Sequence, residues 1–141
     1  MGAVLAKIKC KAGTSERFEG LIAEMVRLTK AGEPGCTRYE FWRARDPATY
    51  YVMECFVDVN GFFAHQASPH HSAMAPALVE CFEDITVEWV DPVDSAHTRF
   101  PPTIDRPLAP DASARICQEK ESFPVNEASW WHDLRSKYRR V

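Results

Sequence analysis

The sequence predicts one α+β domain over residues 1–93, with elements in the order βαββαβ, followed by a C-terminal arm over residues 94–141. Three observations predict this class. Apolar and polar residues alternate with period two near both ends of the domain, an amphipathic helix follows the first alternation, and a hairpin rich in aromatic and β-branched residues lies between them. The order is the split βαβ arrangement, in which helices cover one face of an antiparallel sheet.

The domain begins with a strand and a long helix. Residues 4–10 (VLAKIKC) alternate as expected of a half-buried strand. Thr14 and Ser15 are N-cap candidates, and Gly32 is a natural C-terminal stop. Between them the apolar residues recur at helical spacing, namely Phe18, Leu21, Ile22, Met25, Val26 and Leu28.

A hairpin and its turn follow this helix. Residues 36–44 and 50–57 are rich in aromatic and β-branched residues, and Asp46-Pro47 between them is a turn signal. We therefore predict two adjacent antiparallel strands.

Two short helices and a last strand complete the domain. Asp58 or Asn60 can cap a helix over residues 61–67, and Ser68-Pro69 has the preferred residues for starting another helix, which runs to about residue 81. Pro76 is expected to strain its interior. Residues 85–89 alternate as a strand that Asp91-Pro92 closes.

Composition limits the class of protein. The chain has 141 residues, of which 45% are hydrophobic and 26% charged, as in an ordinary globular protein. No apolar run is long enough to span a bilayer and the N-terminus does not resemble a signal peptide, so we expect a cytoplasmic protein without membrane contact. Five cysteines without a CxxC pair argue against a disulfide scaffold or structural zinc. A net charge of -3 without a basic stripe argues against nucleic acid.

The arm differs in composition from the domain. Six of the ten prolines fall in the last fifty residues, which indicates an extended segment. Asn126 can cap a final helix with an apolar stripe formed by Trp131, Leu134, Tyr138 and Val141. We expect the arm to pack across its own dimer and to cover a pocket entrance. A tail for an outside partner and a disordered extension are the alternatives.

Residues 33–78 (EPGCTRYEFW through SAMAPAL) resemble the core of the antibiotic biosynthesis monooxygenase family, which includes small quinol monooxygenases. The landmarks are the turn at residues 33–36, Tyr39, Glu54, and His65 followed by Ser68-Pro69-His70. The resemblance implies a ferredoxin-like dimeric α+β barrel, with a homodimer formed through the sheet face. It also implies a pocket between sheet and helices, in which some members oxidise phenols, anthrones or hydroquinones with molecular oxygen and without a cofactor.

Such a reaction needs a base to deprotonate a small aromatic molecule, and histidines are the candidates. His65 lies three residues after Phe62 on the short helix and matches a histidine frequent in the family; its alternative role is packing. His70 and His71 lie in the first turn of the next helix, where the helix dipole disfavours a charged imidazole. Because consecutive helical residues point about 100° apart, at most one of them faces the pocket. We assign His65 and His71 as catalytic and His70 to substrate binding.

The remaining binding candidates follow from the third strand. Val52, Glu54 and Phe56 share one face with Tyr50. The family usually has tryptophan at the position of Phe56, so if that residue lines the pocket, Val52 and Glu54 do too. Aromatic surface would come from Tyr39 and Phe62. Alternatively, Glu54 forms a cross-strand ion pair with Arg38 or Arg43.

Other functions stay open. The three histidines and Glu54 could hold a metal, although their spacing is unfavourable and we assign none. The haem-degrading branch of the superfamily has an asparagine in strand one and a tryptophan on strand three, whereas residues 4–11 lack asparagine and Phe56 replaces the tryptophan. A non-oxidative cyclase or isomerase could use the same base. A non-catalytic binding protein could use the Trp130-Trp131 pair of the arm.

Overall fold

The computed structural model describes residues 1–91 and 103–126, and it confirms the predicted α+β class and the βαββαβ order. The second crossover contains two helices, as predicted. The element bounds are β1 Gly2–Cys10, α1 Ser15–Gly32, β2 Cys36–Arg43, β3 Thr49–Phe56, α2 Val59–Gln66, α3 Pro69–Cys81, β4 Phe82–Trp89 and α4 Ala114–Ser122. Helix α4 was not predicted from the sequence.

The four strands form one antiparallel sheet in the order β2-β3-β1-β4. Side chains alternate between its faces, so Ala6 and Ile8 of β1 are buried beneath the helices whereas Leu5 and Lys7 point to the other face. The register places Val4 beside both Glu54 and Trp89. The helix-covered face therefore carries the even-numbered residues of β1 and β3.

The helices are fixed to the sheet by apolar packing and by caps. The aromatic ring of Phe18 on α1 lies 4.7 Å from that of Tyr50. The side chains of Asp58 and Ser68 accept hydrogen bonds from the first turns of α2 and α3. Gly61 allows α2 to approach β3 closely, since a Cβ there would lie 2.9 Å from the Cβ of Phe56. Helix α3 continues through Pro76 despite the missing donor at that position.

Part of the arm packs on the domain of its own chain. The backbone amide of Ala3 donates to the hydroxyl of Thr103 at 3.1 Å, and this hydroxyl donates to the carbonyl of Val90 at 3.0 Å. The amide group of Asn60 donates to the carbonyl of Pro107. The Ser113 hydroxyl accepts a hydrogen bond from the backbone amide of Ile116 and so caps α4. Serine favours a helix start at this position, but the many prolines of the arm led to the prediction of an extended segment. The predicted stripe of Trp131, Leu134, Tyr138 and Val141 lies outside the described residues, and a crossing to a dimer partner stays a prediction.

Two further observations concern the class of protein. None of the helices in the described part is both long and apolar enough to cross a membrane. All five cysteines are free thiols, with Cys10, Cys55 and Cys81 buried.

Candidate active site

A cavity of about 540 Å³ lies between the helix-covered face of the sheet and the helices. The sheet contributes apolar side chains such as Ala6, Ile8 and Val52, and α1 and α3 contribute Phe18 and Leu78. Its polar lining includes Glu54, Gln66, His71, Glu83, Asp84, Arg115 and Glu119. Concave spaces of this size that combine apolar walls with polar groups are where proteins usually bind small molecules.

The structure brings five of the eight predicted site residues to this cavity: Tyr39, Val52, Glu54, Phe62 and His71. The remaining three, Phe56, His65 and His70, are not among the residues that line it. Phe56 is buried instead in a second apolar cluster with Val59 and Phe62. His65 lies directly behind the lining, with its ring centroid 4.9 Å from that of His71 and 5.1 Å from that of Tyr39.

Glu54 is a buried carboxyl group on the cavity wall. Its Oε2 atom is inaccessible to solvent and has no hydrogen-bond partner among the described residues. Burial, supplemented by the charge of Glu33 and opposed by that of His65, raises the pKa of Glu54 from 4.5 to about 7. Near neutral pH this group therefore exists in both its charged and its neutral form.

The alternative expectation of a cross-strand ion pair at Glu54 is wrong. The register places Tyr39 opposite Glu54, whereas Arg38 pairs with Cys55 and so belongs to the other face of the sheet. Arg38 forms its ion pair with Glu40, and Arg43 at the far end of β2 forms one with Glu19 on α1. The strand register therefore keeps both arginines away from Glu54, because Arg38 pairs with Cys55 and Arg43 with Tyr50.

His71 is a second residue of the cavity lining that has a buried polar atom. Its backbone amide donates to the Ser68 hydroxyl at 3.3 Å, which places the side chain in the first turn of α3. Within the described ranges its Nδ1 atom is buried without a partner. Burial, together with the nearby imidazoles of His65 and His70, lowers the pKa of His71 to about 4. His71 is therefore neutral at physiological pH.

His65 is held in place by Glu33, a partner that the sequence analysis treated only as part of a turn. The Nδ1 atom of His65 lies 2.9 Å from Oε2 of Glu33. Because a carboxylate only accepts, Nδ1 carries a proton and donates it to Glu33 in this hydrogen bond. The Nε2 atom of His65 is buried and has no partner in the part of the chain that the structure describes.

Glu33 also contacts His70, and the three side chains form what we call the Glu33 network. The Nε2 atom of His70 lies 3.0 Å from Glu33 Oε1 and 3.0 Å from the Thr29 hydroxyl. Burial alone would raise the pKa of Glu33, but the hydrogen bond and charges of His65 and His70 hold it below its ordinary value. The network therefore keeps Glu33 ionised and His65 oriented.

The same three residues could also hold a cation. Glu33, His65 and His70 each offer one ligand atom, and these atoms all lie within 4.8 Å of one another. Two imidazoles and a carboxylate suit divalent zinc or iron. From the sequence, Glu54 was the candidate carboxylate, whereas the structure brings Glu33 to this position because residues 33 and 65 meet only in the folded chain.

Helix α4 supplies a further part of the cavity wall that the sequence analysis missed. Arg115, Glu119 and Phe123 line the cavity. The guanidinium of Arg115 pairs with the buried carboxylate of Glu119 at 2.5 Å. The arm does therefore border the pocket, although it does so from its own protomer.

The fold is ferredoxin-like, and a buried acid, Glu54, and one histidine, His71, line the cavity between its sheet and helices. The sequence model of the antibiotic biosynthesis monooxygenase family matches residues 1–77. The chain therefore belongs to that family, and the resemblance noted in the sequence is confirmed.

Solved structures agree on the fold. A crystal structure of an antibiotic biosynthesis monooxygenase is 26% identical with a TM-score of 0.61, and the match covers 66% of this chain and 99% of that one. A protein from Shewanella oneidensis is 28% identical with a TM-score of 0.58, covering 63% and 87%. A protein from Mycobacterium tuberculosis is 22% identical with a TM-score of 0.61, covering 67% and 97%. Curated proteins gave no match.

Proposed function

We propose that the protein is a monooxygenase that deprotonates a phenol, hydroquinone or polycyclic aromatic and lets the resulting anion react directly with oxygen, without a metal or flavin. One observation carries the proposal: Glu54, which lines the cavity and has a pKa of about 7, has a buried carboxyl oxygen without a hydrogen-bond partner among the described residues. Family membership supports the reaction class.

Glu54 suits the role of base better than either histidine. A general base works best when its pKa lies near the working pH, and that of Glu54 is about 7. His71 reaches the cavity, but its pKa of about 4 makes it a weak base and a better hydrogen-bonding group for a substrate hydroxyl. His65 lies behind the lining and would influence the pKa of Glu54 through its charge rather than touch the substrate. The proposal therefore moves the base from His65 or His71 to Glu54.

The walls of the cavity favour a planar aromatic substrate. The ring of Phe41 lies 5.2 Å from that of Tyr39 and 6.1 Å from that of Phe18, and all three line the cavity. Aromatic rings prefer such edge and tilted contacts with one another. The apolar surroundings also limit water, which would otherwise stabilise the substrate anion and slow its reaction with oxygen.

The chemical steps balance without a further reductant. Ionised Glu54 accepts the phenolic proton, and the phenolate transfers one electron to oxygen. The two radicals combine at a ring carbon bearing hydrogen, and the resulting peroxide anion takes the proton from Glu54 to give a hydroperoxide. Glu54 then removes the hydrogen of that ring carbon as a proton while the O–O bond breaks, and the departing hydroxide takes this proton to leave as water. A carbonyl group remains at that carbon, so that phenol and one molecule of oxygen become a quinone and water.

Replacement of the base tests this proposal. We expect Glu54→Gln to lower kcat/KM for oxygen uptake with hydroquinones by about 10²–10⁴-fold, the usual contribution of a general base. In the unmodified protein kcat/KM should rise with pH with a midpoint near 7, because the base must be ionised. Glu24→Gln removes an exposed carboxylate of α1 and serves as the matched control with unchanged activity.

Two outcomes would contradict the monooxygenase. Product formation without oxygen would indicate the cyclase or isomerase alternative. Loss of activity after chelation, with recovery on adding zinc or iron, would indicate that the Glu33 network binds a catalytic metal.

We also propose that the protein is a homodimer formed through the outer sheet face, since family members are commonly dimeric. Leu5, Trp42 and Tyr51 lie on this face and are 38%, 62% and 41% exposed. Covering such a patch would stabilise a dimer. Trp42→Lys should weaken association about 30-fold, equivalent to the ~2 kcal/mol of an interface hot spot. Sedimentation measures the dissociation constant of the dimer, and Ala31→Lys at an exposed position of α1 is the control. An unchanged dissociation constant in Trp42→Lys would contradict the proposal.

The cytoplasm is the location we propose. The support is the set of five free thiols, because buried unpaired cysteines are typical of a reducing compartment.

A further inference from the structure

A second cavity, of about 410 Å³, adjoins the candidate active site. Its apolar lining residues are Val4, Phe62, Val87, Trp89, Phe123 and Pro124. Three of these, Phe62, Val87 and Phe123, also line the main cavity. The two cavities therefore share part of their walls. Phe123 and Pro124 come from the arm, beyond the residues that the family model matches.

We propose that this second cavity, the tail groove, binds an apolar tail of the aromatic substrate whose ring occupies the main cavity. The assignment of the ring rests on the proposed function. Glu54 and His71 line the main cavity and are not among the residues of the tail groove. The reacting ring therefore belongs in the main cavity, and the extension of the molecule belongs beside Phe123.

The apolar lining of the tail groove favours an apolar occupant. Trp89 is a donor through its indole N–H alone, and this group already donates to the carbonyl of Phe123 at 3.3 Å. The ring of Phe62 lies 5.0 Å from that of Trp89 and 5.2 Å from that of Phe123. The polar lining residues Glu88, Ser122 and Asn126 are exposed, so their side chains can stay hydrated when the apolar lining is covered. A hydrocarbon chain gains most from such a surface, because each buried CH₂ contributes ~0.8 kcal/mol.

The experiment compares benzohydroquinones that carry methyl, pentyl or decyl substituents, below their micelle concentrations. Binding is measured by anaerobic calorimetry and turnover by oxygen uptake. We expect the dissociation constant and KM to fall by up to about fourfold per methylene, the equivalent of ~0.8 kcal/mol, until the groove is filled.

Two neighbouring variants locate the effect. Ser122→Phe places a ring in the tail groove, so it should abolish the gain from longer chains while leaving methylhydroquinone binding unchanged. Glu121→Phe adds the same ring to an exposed neighbour that does not line the groove, and it should retain the gain.

The outcomes separate the two proposals. Binding that improves with chain length and is abolished by Ser122→Phe, without any turnover, would support the tail groove and contradict the monooxygenase. Turnover with an affinity that does not depend on chain length would support the monooxygenase and contradict the tail groove. It would then indicate that another segment of the chain or a second copy occupies the groove. A gain that survives Ser122→Phe would also overturn the tail groove.

Discussion

Two buried polar regions meet at His65 and differ in how their hydrogen bonds are satisfied. On one side, both oxygens of Glu33 contact imidazole nitrogens, at 2.9 Å to His65 and 3.0 Å to His70. On the other, Oε2 of Glu54 and Nδ1 of His71 have no partner within the described residues. Buried polar groups without partners destabilise a fold, so their presence at a cavity indicates a function. The Glu33 network should therefore stabilise the protein, whereas the Glu54 side should destabilise it.

The largest effect on stability is expected from Glu54→Gln. The pKa of Glu54 is raised from 4.5 to about 7 in the folded protein. The folded state thus holds a proton that the unfolded chain loses between these pH values, and stability falls as pH rises through this window. Above it the charged carboxyl costs about 3 kcal/mol. Glu54→Gln should remove this cost, making the variant more stable at pH 8 and little changed at pH 4.

Urea unfolding at several pH values measures this difference. The lowered pKa of His71 acts with the opposite sign, because stability is lost as pH falls from 6.5 to about 4. That contribution is present in both proteins and cancels when they are subtracted. A difference between the two proteins that does not grow with pH would contradict the assignment of a buried, ionisable Glu54.

A smaller effect of opposite sign is expected from Glu33→Gln. The amide keeps the shape of the side chain but loses the charge that two imidazoles contact, so the protein should lose about 1–3 kcal/mol of stability. Chemical denaturation at pH 7 measures it. The exposed Glu24→Gln provides the reference, with a change of less than about 0.5 kcal/mol. Equal stability of the two variants would show that the Glu33 network does not hold the fold.

Most of the fold could be predicted because its signals are local. The alternation in β1 and the caps Asp58 and Ser68 depend on a few neighbouring residues, and the structure confirms them. Element ends were less accurate, since β1 begins at Gly2 and β4 at Phe82, where pairing extends beyond the alternating residues. Helix α4 was missed although Ser113 marks its start, because proline-rich flanks indicated an extended arm.

The sequence predicted several residues of the candidate site but not their contacts with one another. Val52 and Glu54 could be placed on one face from the period of the strand, and the structure places both at the cavity. The role of Glu33 could not be found in this way, because it contacts a histidine 32 residues away. The absence of an arginine partner for Glu54 likewise depended on the register of β2 against β3, which its loop does not determine.

Residue type and spacing alone determined the class of the fold, the order of its elements and the presence of ionisable groups near one another. Only the tertiary structure decided which of these groups have hydrogen-bond partners. Desolvation and hydrogen bonding depend on atoms brought together from distant parts of the chain, and these set the pKa of Glu54 near 7 and that of His71 near 4. The tertiary structure also places Phe123 of the arm in the walls of both cavities.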